Sequence, residues 1–178
     1  MFRFNLQLTI QSISKLFDFH NCSEMDCIRI CSLLYMADRN LIFQTGLPIT
    51  GDSAISMKYG PILENTYKYM NGELNSEEWS KHFKKVGYKL VRVLKASDDF
   101  LCPLFEDLLL DLTNSFISCN GFDLSEVTLK YPEWKLDCPI TTEKIFECLG
   151  IESQLEFVRK EISAIYVFDD ILSSVNQK

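Results

Sequence analysis

Apolar residues recur at helical spacing along most of this 178-residue chain. Asn5 is suited to cap a helix. After it Leu6, Ile10, Ile13, Leu16 and Phe17 lie three or four apart, which predicts an amphipathic helix ending near Asp18 and Phe19. Ser23 offers a second cap, with Glu24 and Asp26 in a first turn where negative charge suits the helix dipole. Cys27, Ile30, Cys31, Leu34 and Tyr35 then form one stripe, widened by Ile28 and Leu33. So apolar a helix is predicted to run through the core and stop near Asn40. Gly46, Pro48 and Gly51-Asp52 mark Leu41–Ser56 as loop and turn. The alternation over Ile55–Tyr59 predicts a short strand. Gly60-Pro61 is expected to open a further helix, because proline at a first helical position forfeits no hydrogen bond and its φ is already helical. Leu63, Tyr67 and Met70 share one face of that helix, and Asn71-Gly72 ends it.

Ser76 caps a short helix through Trp79. From Phe83 to Lys95 the period changes to two. Tyr88, Leu90, Arg92 and Leu94 alternate with Lys89, Val91, Val93 and Lys95, a strand pattern with a bend at Val86-Gly87. Helical spacing returns at Pro103, where Leu104, Phe105, Leu108, Leu109, Leu112 and Phe116 form a stripe expected to stop at Asn120-Gly121. Asp123 or Ser125 then caps a helix to Leu129, and Thr141 or Thr142 one to Leu149-Gly150. A last helix spans Ser153–Ser174, with Leu155, Val158, Ile162, Ile165, Tyr166 and Leu172 inward. The expectation is a mainly α, single helical domain over residues 1–178 with a small β-hairpin, helices 141–174 packing on the rest. The same order of helices, strand, helix and hairpin is compatible with a winged helix.

Composition sharpens this picture only in part. Hydrophobic content of 47% and charged content of 24% are those of a globular protein with a core. The N-terminal stretch lacks a continuous apolar region and a small-residue cleavage site, and no run approaches the roughly 18 apolar residues of a membrane span. A cytoplasmic location is therefore expected, without membrane contact. Seven irregularly spaced cysteines fit reduced thiols. The net charge of −7 is uneven, with 12 basic and 9 acidic residues before residue 96 and 6 and 16 from there on. An acidic total argues against general nucleic-acid binding.

Catalytic chemistry finds little support. There is no G-x-S-x-G, no Gly-rich phosphate loop and no H-E-x-x-H. His20 and Cys22 lie near Cys27 and Cys31, but no Cys-x-x-Cys pair occurs, so these thiols read as small apolar side chains rather than metal ligands. Asp169-Asp170 with Glu161 reads as a solvated acidic face. No enzyme activity, cofactor or metal is expected. The basic cluster Lys81, Lys84, Lys85, Lys89, Arg92 and Lys95 on the hairpin has two readings. Lys84, Lys85 and Lys89 are the candidate contacts of a DNA-binding wing; alternatively the lysines guard a strand edge, which the acidic total favours.

One region is more specific. Leu33–Asp38 reads L-L-Y-M-A-D, Gly46–Asp52 reads G-L-P-I-T-G-D, and Met57–Pro61 reads M-K-Y-G-P. These motifs resemble the Panacea domain of SocA-like antitoxins, and Ser125, Thr128 and Trp134 resemble a later element of that family. The resemblance covers roughly residues 4 to 136. Ser32 stands where the family has Lys, Ser56 where it has Ala, Thr66 where it has Leu, and Leu129 where it has His. The resemblance implies an antitoxin that neutralises a cognate toxin by direct contact, one type of member also delivering its toxin to a protease. The family-motif residues Asp38, Asp52, Lys58, Tyr59, Gly60, Pro61 and Tyr67 are the candidate partner-binding set, with Lys58, Tyr59 and Tyr67 foremost because tyrosine is favoured at interface hot spots.

Overall fold

The structure, a computed structural model, describes residues 2–175. The side chains of 168, 169 and 171–175 fall outside the described residues, and with them the sequence-based places of Asp169 and Leu172. The chain is mainly helical. Helix α1 (Leu6–Phe19) starts as its pattern predicts, the Asn5 side chain accepting from the Leu8 N–H. Strand β1 (Glu24–Asp26) then precedes α2 (Cys27–Thr45). The two acids read as a helical first turn are strand residues, because Met25 pairs with Leu90 and both side chains enter the core. Nothing within three residues distinguishes the alternatives; the pairing strand does.

Helix α2 is buried nearly all round, packing on α1, on β1 and on several of the elements that follow it. It outruns its expected end at Asn40, because Leu41 and Ile42 continue the buried face. Gly46 closes it in the left-handed conformation, its N–H donating to the Ile42 carbonyl at 2.8 Å.

Strands β2 (Ala54–Met57) and β3 (Gly60–Leu63) form a hairpin, and β6 (Pro139–Ile140) adds to β2. Pro61 is thus a strand residue opposite Ser56 and does not open a helix. In the order β3-β2-β6, β3 is an edge, where a residue without an N–H is tolerated. Helix α3 (Glu64–Asn71) begins three residues after Pro61, and α4 (Glu77–His82) follows on its Ser76 cap. Strands β4 (Phe83–Val86) and β5 (Lys89–Arg92) are the hairpin that alternation predicts. Gly87, at φ 61, is the first of its two turn residues. β1 joins β5, so the single small hairpin of the sequence reading is in fact two three-stranded antiparallel sheets.

Helix α5 (Pro103–Ser115) buries Leu108, Leu109 and Leu112. Asn120-Gly121 does not terminate it. Asn120 is the cap of α6 (Gly121–Thr128), in a capping box with Asp123. Gly121 lies against Ile28 and Arg29 of α2, where a Cβ would sit 3.3 Å from the Arg29 nitrogen. Helix α7 (Thr142–Leu149) starts at the Thr141 cap, ends at Gly150 and packs on α2. Helix α8 (Leu155–Val175) follows a short 3-10 turn and closes back on the N-terminus, where Arg3 makes a paired contact to Asp170 at 2.8 and 2.9 Å. No helix among the described residues is long and apolar enough to cross a membrane.

Candidate functional site

The family-like motifs build one continuous device around α2. Asp38, buried on α2, accepts from the Ile49 N–H at 2.9 Å and from the Thr50 N–H at 3.0 Å, while its second oxygen takes the Thr50 hydroxyl. Burial pushes the Asp38 carboxyl up to about 7, while the hydrogen bonds it accepts from Thr50 and Ile49 act in the opposite direction. Thr50 passes the tie onward, its hydroxyl oxygen accepting from the Asp52 N–H at 3.1 Å. Asp52 then caps α3 from outside the helix. One oxygen accepts from the N–H groups of Ser53 and Asn65 and from the Asn65 amide; the other accepts from the Thr66 N–H and hydroxyl, each of the five at 2.8 to 3.0 Å. Leu63, in the cap position, has no side-chain oxygen to offer, so the loop carboxylate stands in for it. The threonine found where the family has leucine is a working member of this cap.

The β2–β3 hairpin is gripped from the other side. Gly60 sits at φ 105, and a Cβ there would lie 2.4 Å from the Thr128 hydroxyl. Ser125 donates its hydroxyl to the Tyr59 carbonyl at 2.7 Å, and the Trp134 indole N–H donates to the Met57 carbonyl at 3.1 Å. Ser56, where the family has alanine, accepts from the Lys135 N–H at 3.2 Å. The early and late motif elements thus meet at one turn, whose tip is Lys58-Tyr59.

Both tip side chains are exposed, and they border a groove of about 340 Å³. Its walls come from the first turns of α2 (Cys27, Ile28, Cys31, Ser32), from the tip and Ile62, from Tyr67 and Asn71 of α3, and from Lys85 and Tyr88 of the second hairpin. The surface is mostly apolar. The Cys27 N–H donates to the Tyr88 carbonyl at 3.0 Å, which fixes the second hairpin against α2. Tyr59 also meets Phe122 edge-on, 5.8 Å between ring centres, so aromatic surface continues beyond the groove. Lys58, Tyr59, Tyr67 and Lys85 of the expected residues are therefore brought together. Asp38, Asp52, Gly60 and Pro61 position this region from within and do not line it. Ile28, Ser32, Asn71, Tyr88 and Phe122 carried no signal in the sequence, since each is ordinary in its own element.

The basic residues of the second hairpin are largely matched by acids. Lys81 meets Glu78, Lys89 meets Glu24, and Arg92 and Lys95 both reach Asp18. Lys84 is exposed, and Lys85 donates to the Asn71 amide oxygen. His20 engages the Leu16 carbonyl and Arg29, and His82 the Leu94 carbonyl and Glu78. Burial lowers the His20 pKa, and the nearby Arg29 adds to that. Cys27 and Cys31 are groove-wall thiols pushed up in pKa by burial, the opposite of an activated nucleophile.

A second cleft, of about 380 Å³, lies across α2 beside Tyr35, Asp38 and Arg39. Next to it Glu133, with a fully buried side chain, accepts from the Tyr35 hydroxyl at 2.9 Å and from Arg39 at 2.5 Å. This cluster joins residues almost a hundred positions apart, and no spacing announced it.

The family model described as antitoxin SocA-like, Panacea domain, matches residues 32–135, more than half of the chain. The match begins within α2 and leaves α1 outside, so it is shorter than the span over which the motifs alone suggest likeness. No curated protein and no solved structure gives a match.

Proposed function

We propose that this chain, which belongs to the SocA-like Panacea antitoxin family, neutralises a partner toxin by direct contact at the groove between its two hairpins, without catalysis. The observation that supports this reading best is the fate of the motif residues. Most are spent on rigid internal ties, and those ties present Lys58 and Tyr59 at the rim of an aromatic groove that also holds Tyr67. Preorganised tyrosines are efficient contact residues, because they bring large area at small conformational cost. The DNA-binding alternative has less behind it. Four of the six hairpin cations already face carboxylates, and phosphate binding draws on cations free to exchange counterions.

Co-expression with the product of the adjacent gene tests the reading. A toxic neighbour should be silenced by this chain and co-purify with it. Tyr59→Ala should weaken the complex by about 2 kcal/mol, roughly thirtyfold in Kd, and lose the rescue. Toxin that disappears in the rescued cells, and persists when proteases are inactivated, would assign delivery for degradation; toxin that stays at full level assigns occlusion. A harmless neighbour that does not co-purify overturns the proposal.

A further inference from the structure

We infer that the groove receives a peptide segment of its partner in which an apolar side chain is flanked by carboxylates. The inference rests on the binding site proposed above and adds the chemistry of its occupant. The floor, with Ile28, Cys31 and Ile62, offers nothing to a charged group, and a volume near 340 Å³ suits one large apolar side chain with parts of its neighbours. Lys58 and Lys85, which also border the groove, are exposed lysines. Among the described residues seven of the ten other lysines contact a carboxylate, Lys84, Lys130 and Lys135 being the exceptions. Lys85 instead reaches a neutral amide, and Lys58 lies 5.3 Å from the ring centre of Tyr59.

In a chain of net charge −7, two such ammonium groups beside an apolar floor are complementary to an acidic segment and repel a basic one. The aromatic surface extends past the groove through Tyr88, which is 72% exposed, and through Tyr59 to Phe122, which is 62% exposed. That reach exceeds what a small ligand covers and favours a macromolecular segment.

The test needs no toxin. A random-peptide library displayed on phage is panned on the full-length chain, and the enriched peptides are synthesised and measured by fluorescence anisotropy. The selected sequences should carry Leu, Ile, Phe or Met with Asp or Glu beside it. The K58E/K85E chain should bind them about tenfold more weakly, and panning on that chain should exchange the acidic residues for basic ones. Both lysines are exposed, so an unchanged circular dichroism spectrum and melting temperature are expected and serve as the folding control. The inference is overturned by selection without acidic bias, by no enrichment at all, or by affinities that the double substitution leaves unmoved. It is equally overturned if the chain sediments as a dimer that K58E/K85E converts to monomer, since the occupant would then be a second copy. Failure of the peptide selection leaves a successful toxin rescue standing. A failed rescue beside a successful selection removes the toxin but not the groove chemistry.

Discussion

Replacing Asp52 by alanine removes a cap that helix α3 cannot supply from its own sequence. Five hydrogen bonds end on this carboxylate, among them those from the Asn65 and Thr66 N–H groups. The Glu64 N–H keeps its partner, the Ser53 carbonyl at 2.7 Å. Loss of a capping side chain costs about 1 kcal/mol. Loss of a negative charge at a helix N-terminus adds about 0.3–1 kcal/mol. Three backbone donors, the N–H groups of Ser53, Asn65 and Thr66, are left unpaired; Ser53 is exposed and Asn65 half-buried, so their cost falls near the low end of about 1–3 kcal/mol. The expected loss for Asp52→Ala is therefore about 2–3 kcal/mol, or about 4–12 °C in melting temperature for a chain of this size. Asp52→Asn keeps one acceptor oxygen and should lose about half as much. Urea unfolding followed by circular dichroism measures both, with an unchanged slope showing that only stability has moved. A double-mutant cycle with Thr66→Ala should return a coupling of about 0.5–1 kcal/mol, because Thr66 acts through the same oxygen. A loss below about 0.5 kcal/mol for Asp52→Ala, the range of an ordinary surface change, would refute the cap.

Gly60→Ala should cost about 2–4 kcal/mol, since it adds a steric conflict with Thr128 to a positive φ, whereas Gly72→Ala, with positive φ but open space, should cost about 1 kcal/mol; thermal melts compare them. Truncating Thr128 to alanine should recover part of the first loss and none of the second. Asp38 makes stability depend on pH with a definite sign. Its folded pKa, about 7, lies above the ordinary 3.8, so between those values the folded state holds a proton that the unfolded state has released. The stability from this group is present below about pH 4 and is lost as the pH rises towards 7. Asp38→Asn, which stays neutral, should flatten that part of the urea-midpoint profile measured from about pH 5 to pH 8; an unchanged profile contradicts the assignment. Glu133→Ala strands Arg39 and Tyr35 without their shared acceptor and should cost about 3–5 kcal/mol by urea unfolding.

Much of this architecture is legible in the sequence. Helix α1 with its Asn5 cap, α4 with Ser76, α7 with Thr141 and the β4–β5 hairpin lie where periodicity and capping chemistry predict, because each depends on residues within a few positions of one another. The motifs likewise announce the family, since their glycines, proline and acids answer needs of backbone geometry that few other residues meet. Other features are silent for the opposite reason. Pro61 satisfies the start of a helix and an edge strand equally well, and only the pairing with Ser56 and the cap sent from Asp52 to residue 65 decide between them. Glu24 to Asp26 become a strand only because β5 lies alongside, and Asn120 caps forwards only because Gly121 lets α6 close on α2. The groove is wholly of this kind. Helical and strand periods report which side of an element faces inward, not which elements stand next to each other, so the meeting of Lys58, Tyr67 and Lys85 across three of them is decided by tertiary packing alone.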